Sequence, residues 1–155
     1  MSSKVREHQI YFPDITFNGQ VVNFEYDPVK FYKLSFFERC EIEDNYREIF
    51  KKVQKIYNKK FKGIISEIAK KENLKPCEVK TLMTVDECVM KIYPSKTIRF
   101  DVYYNLFNGN FKLYNGHCVM VHFTIEDGKP DICYGPINGD LFKFFITTRN
   151  RSRNI

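Results

Sequence analysis

The sequence has no tryptophan, no glycine-rich phosphate loop, no paired cysteine or histidine spacing of a metal site, and no apolar run of the roughly 18 residues that a membrane-spanning helix needs. Each absence removes a class of function. The seven glycines are dispersed and none builds GxGxxG or GxxxxGK, so a nucleotide cofactor is not expected. The five cysteines, Cys40, Cys77, Cys88, Cys118 and Cys133, are odd in number and form no CxxC pair, which points to reduced thiols in a cytoplasmic protein. The start, MSSKVREHQIYF, carries no apolar signal core. No H-x-x-x-H, H-E-x-x-H or Cys/His cluster occurs, and neither a metal nor a membrane partner is expected.

What is present suits one α+β domain. A chain of 155 residues is long enough for one real hydrophobic core and short for two. Hydrophobic residues make up 43% and Phe and Tyr supply the 16% that is aromatic, which argues against disorder. The net charge of +6 biases the protein toward anionic partners. We expect loose termini at 1–8 and 149–155.

Turn chemistry sets the expected architecture. Asn18-Gly19, Asn108-Gly109 and Asp127-Gly128 each sit between strand-like runs, and such dipeptides favour two-residue type I′ hairpins. The first closes an N-terminal hairpin over residues 10–26, with Pro13 confined to an edge or a bulge. In the second hairpin the register sets Leu106 opposite Phe111 and Tyr104 opposite Leu113, with Ile98, Phe100, Val102, Tyr104 and Leu106 on one face. In the third it sets Phe123 opposite Ile132 and Val121 opposite Tyr134, with Val119, Val121, Phe123 and Ile125 inward. The run 29–42 is aromatic and admits either a third strand or a connection with a helical turn; we favour a strand ending near Phe37. Residues 140–147 admit a last strand or a short helix.

Helical periodicity begins after Asp44, a good N-cap, and runs through Ile49, Phe50, Val53, Tyr57, Ile64 and Ile68 until Asn73 and Pro76 end it. Thr84-Val85-Asp86-Glu87 has the T-x-x-E form of a capping box and predicts a short second helix up to Pro94. The expected fold is therefore an antiparallel meander sheet, made of the N-terminal hairpin plus two C-terminal hairpins, packed on one long amphipathic helix and a short second one.

Two groups of residues are candidates for function. Projected at about 100° per residue, Lys51, Lys52, Lys55, Lys59 and Lys62 gather on the helix side away from the apolar stripe. They suit an acidic protein or nucleic-acid phosphates, although a lysine face is also the ordinary solvated side of such a helix. The second group follows from the last hairpin, whose register makes His122 and Cys133 cross-strand neighbours on the outer sheet face. A thiol beside an imidazole is the elementary unit of a thiol nucleophile. Strand centres give poor access to substrate and spacing supplies no orienting third group, so a half-buried outer face explains the pair as simply. His117 lies five residues from His122, on the opposite face, so the two cannot chelate one metal; it is a candidate at a strand start after a turn. Acidic clusters such as Asp86-Glu87 and Glu41, Glu43, Asp44 suit helix starts.

The stretch 84–140 carries a further pattern: a T-x-x-E segment with Thr84 and Glu87, a G-H-x-hydrophobic-x-V strand with Gly116, His117, Val119 and Val121, and a D-G hairpin at Asp127-Gly128. In this it resembles small uncharacterised bacterial α+β domains of toxin-immunity type. The resemblance implies a domain that binds a partner protein, with no catalytic residues to transfer. Together these readings lead us to expect a non-enzymatic protein-interaction module, with nucleic-acid binding by the same lysines as the alternative and a His122/Cys133 thiol hydrolase as the outsider.

Overall fold

The computed structural model describes residues 8–106 and 118–136. Within them the chain forms β1 (Gln9–Phe17), β2 (Gln20–Glu25), α1 (Pro28–Lys33), α2 (Phe36–Glu72), α3 (Pro76–Leu82), β3 (Met83–Ile92), β4 (Ile98–Leu106), β5 (Cys118–Glu126) and β6 (Lys129–Pro136). The strands make one six-stranded sheet in sequential order. Every neighbouring pair is antiparallel except β2–β3, which is parallel. A parallel pair cannot be joined by a tight turn, and the three helices supply the crossover.

Local chemistry explains the tight turns. Asn18 and Gly19 have φ of 48° and 85°, and Asp127 and Gly128 have 51° and 74°. Two successive positive φ values define the type I′ turn expected from both dipeptides. Pro13 falls where β1 slips register against β2, between Tyr11 and Thr16, on a strand paired on one side only. Residues 107–117, with the Asn108-Gly109 turn, lie outside the described residues, as do residues 137–155 with the segment 140–147, and the N-terminal seven.

The long helix is longer than its hydrophobic stripe suggested. Ser35 caps it: the Ser35 Oγ accepts the Glu38 N–H at 3.2 Å and the Glu38 carboxylate accepts the Ser35 N–H at 3.1 Å. This reciprocal pair satisfies two of the helix's orphan donors and starts α2 at Phe36 rather than at Asp44. The helix then runs 37 residues, about 55 Å, to Asn73, whose left-handed φ of 55° ends it where expected. The strand expected up to Phe37 is instead α1 and the first residues of α2. Asp27 accepts the Val29 N–H at 2.9 Å and Pro28 occupies the first turn, so Asp27-Pro28 is a helix start.

The second short helix also lies elsewhere. It is α3, opened by Pro76 and by the Lys75 N–H donating to Glu78 at 3.0 Å. Residues 84–90 are strand, because β3 is paired on both edges. Between Val85 and Glu87 the register advances two residues while β4 advances one, from Tyr104 to Tyr103, so Asp86 is an inserted bulge residue. The insertion places buried Val85 and Cys88 three apart, which imitates helical spacing. A further correction concerns β4. It pairs with β5 from Ile98 to Asn105, so Val85 and Val119 are the ladder partners of Tyr104, and Leu113, expected there, lies outside the described residues.

The core lies between α2 and one sheet face. Tyr57 stands at its centre, edge-on to Phe17, Phe100 and Phe123 at centroid distances of 5.4, 5.4 and 5.6 Å. One ring thus ties β1, β4 and β5 to the helix, the role a tryptophan often fills. Val119, Val121 and Phe123 are fully buried beneath it, as the alternation predicts.

Candidate functional site

The expected lysine row is continuous. Lys51, Lys52, Lys55, Lys59 and Lys62 are all exposed on the side of α2 away from the sheet. Lys51 lies 3.5 Å from Glu48. Lys52, Lys55, Lys59 and Lys62 make no ion pair among the described residues. No carboxylate occurs in the sequence between Glu48 and Glu67, so from Lys52 to Lys62 the row carries uncompensated positive charge over about 15 Å of helix.

The N-terminal third of the same helix is acidic. Glu43 and Asp44 clamp Arg47 at 2.6 and 3.1 Å, and Arg47 reaches Asp14 on β1 at 2.5 Å, which pins the helix to the sheet edge. Negative charge early and positive charge late complement the helix dipole, and Lys70 and Lys71 in the last turn do this. The dipole's reach fades within a turn of each end, so it gives no account of lysines in mid-helix.

The outer sheet face holds a second arrangement. Asp101 on β4 is the ladder partner of His122 on β5, and His122 is the partner of Cys133 on β6, as the hairpin register required. Asp101 Oδ1 is 2.5 Å from His122 Nδ1. The other oxygen lies 3.1 Å from Arg99 Nε, an ion pair without the alignment of a hydrogen bond. Arg99 also bonds Glu25, and Glu25 meets Lys91 at 3.5 Å. Alternating charges therefore cross the sheet from β2 to β4, where Asp101 meets the His122 ring of β5. Asp101 is 6% exposed, which lowers the local dielectric and strengthens each contact.

Asp101 is the orienting group that spacing alone did not supply. With Nδ1 committed to the carboxylate, Nε2 is the nitrogen left for proton transfer. The row Asp101, His122, Cys133 has the composition of a thiol-hydrolase constellation, yet it lies at strand centres and the His122 side chain is only 12% exposed. Such a place favours a structural charge network over turnover. His117 lies outside the described residues. Among the described residues no group of three His, Cys, Asp or Glu could hold a metal ion, and no helix is long and apolar enough to cross a membrane.

A third feature lies where a strand ending near Phe37 was expected and helices stand instead. Val29, Tyr32, Phe36 and Phe37 are exposed by 62, 68, 67 and 78% around the start of α2, beside Lys30 and Lys33. Asp27-Pro28 and the S-x-x-E of Ser35 to Glu38 are the signals that place them on helices.

The fold is thus an α+β open sheet with a basic helix face on one side and a charged row on the other. No family model, curated protein or solved structure matches the chain.

Proposed function

We propose that this chain is a non-enzymatic protein-interaction module, of the immunity type its C-terminal half resembles, that covers an acidic surface on a partner protein with the lysine half of α2. The observation that carries this reading is the absence of any carboxylate between Glu48 and Glu67, with Lys52, Lys55, Lys59 and Lys62 exposed and free of ion pairs among the described residues. Unpaired lysines held on one rigid helix speed encounter with an opposite charge and set orientation on contact. Occlusion is then steric and electrostatic and needs no chemistry. The protein works in the cytoplasm, where its five cysteines, none of them in a disulfide, stay reduced.

The same lysines could meet nucleic-acid phosphates. The row contains no arginine, and of the two aromatic residues within its span Tyr57 is buried and Phe61 is half-buried and stacked on Tyr57 and Tyr104, so they give bases no platform. This favours a protein partner. Affinity capture from the source cell, with and without nuclease, tests the choice. An acidic protein retained after nuclease treatment supports the proposal, and binding that disappears with the nucleic acid replaces it.

A further inference from the structure

A cavity of about 630 Å³ opens where α2, α3 and the β1–β2 turn meet. Its floor is apolar: Phe17, Ile65, Met83 and Tyr104 are all buried. Its rim is polar and basic, with Lys62 and Asn58 from α2, Lys80 from α3 and Asn18 from the turn, all exposed. None of its lining residues is acidic. Three other hollows on the surface each carry a carboxylate, Glu67 beside β6, Asp86 and Glu87 beside β2, and Glu38 and Glu41 beside α1. Only the α2–α3 cavity among these four pairs an apolar floor with uncompensated positive charge.

A buried hydroxyl pair adds a donor. The Tyr57 and Tyr104 hydroxyls lie 2.6 Å apart. Two hydroxyl protons share one bond, so one proton is left over. Tyr57 is wholly buried and does not line the cavity, whereas Tyr104 does. The arrangement that strands neither proton has Tyr57 donating to Tyr104 and Tyr104 donating toward the cavity. Burial pushes both phenols up, so each keeps its proton.

We infer that this cavity binds a small organic anion with a flat apolar body, its acid group at Lys62 and Lys80 and its body on the Met83 and Tyr104 floor. The volume lies within the usual range for small-molecule pockets, and apolar walls with a few fixed polar groups are their common composition. The inference goes beyond the partner reading and needs only Lys62 in common with it.

Naphthalene-1-acetate and its neutral amide, naphthalene-1-acetamide, test it by calorimetry on the full chain. The acid should bind about tenfold tighter than the amide, the size of one well-placed charge contact. Exposed Cys77 lines the same cavity, so the acid should also slow its alkylation. Lys62→Met with Lys80→Met should erase the preference for the acid, and both lysines are exposed enough for the fold to persist. Phe37→Ser should change nothing, which separates the cavity from the exposed aromatics. Equal affinity for acid and amide, no binding at millimolar acid, or unprotected Cys77 would overturn the inference.

Discussion

Asp101 and His122 face each other across β4 and β5, carboxylate Oδ1 2.5 Å from imidazole Nδ1, on a sheet face that leaves Asp101 only 6% exposed. The carboxylate serves two cationic or hydrogen-bonding groups at once, His122 and Arg99. Removing it leaves both without their shared acceptor in a nearly dry place, and a broken buried pair costs more than the pair contributes. Asp101→Ala, which removes both oxygens, should therefore lower unfolding free energy by roughly 2 to 4 kcal/mol in urea titration. A loss within 0.5 kcal/mol, roughly that of an ordinary surface change, would mean that solvent compensates the network.

Thiol reactivity separates the structural and catalytic readings of Cys133. Cys77 is exposed, Cys133 half-buried, and Cys88 fully buried with its thiol pushed up to about 12, chiefly by burial. At pH 8 Cys88 therefore keeps its proton and is a poor nucleophile. Iodoacetamide with peptide mapping should label Cys77 first and Cys88 only after unfolding. Cys133 outpacing Cys77 would instead indicate a thiolate activated by His122.

Alkali should destabilise the fold through the same buried groups. Burial moves Tyr46 and Tyr103 from 10.0 to about 12 and Cys88 from 9.0 to about 12. The folded state then holds protons that the unfolded chain has released, so stability is fully present below the unfolded values and lost as pH rises toward the folded ones. The urea midpoint should hold steady near neutrality and fall between about pH 9 and pH 12. A midpoint flat across that window would contradict the burial of these groups.

The capping box at the start of α2 makes a prediction at the opposite end of the scale. Ser35→Ala removes an acceptor from the Glu38 N–H and should cost about 1 kcal/mol. The Ser35 contacts hold the Glu38 carboxyl below its ordinary value, so its contribution is present above that value and fades as pH falls. The stability gap between wild type and Glu38→Gln should narrow from pH 7 to acid in denaturant titrations, and a constant gap would assign the effect to packing.

Much of the fold was legible because single residues carry it. Asn18-Gly19 and Asp127-Gly128 fix their own registers, and the second puts His122 beside Cys133 with no further information. Asn73 ends the helix by adopting the left-handed conformation. Other parts depend on partners distant in sequence. The T-x-x-E of Thr84 to Glu87 has the letters of a helix cap, but two flanking strands and a bulge at Asp86 make it strand. The start of α2 was hidden because exposed Phe36 and Phe37 do not continue the buried stripe, although Ser35 and Glu38 spell the cap. Asp101 could not be matched to His122, because the β4–β5 register depends on pairing across residues 107–117 and not on a two-residue turn. The lysine row needed only helical projection, and all five side chains are exposed.

The central claim is that the lysine half of α2 recognises an acidic protein. It is tested most directly by reversing Lys51, Lys55 and Lys62 to Glu and repeating capture from the source cell beside a control that reverses Lys30 and Lys33. All five side chains are exposed, so circular dichroism should show an unchanged fold in both variants. We predict that an acidic protein captured by wild type, and released as salt is raised, is retained by the control and lost with the triple reversal. Undiminished capture by the triple variant would contradict the account.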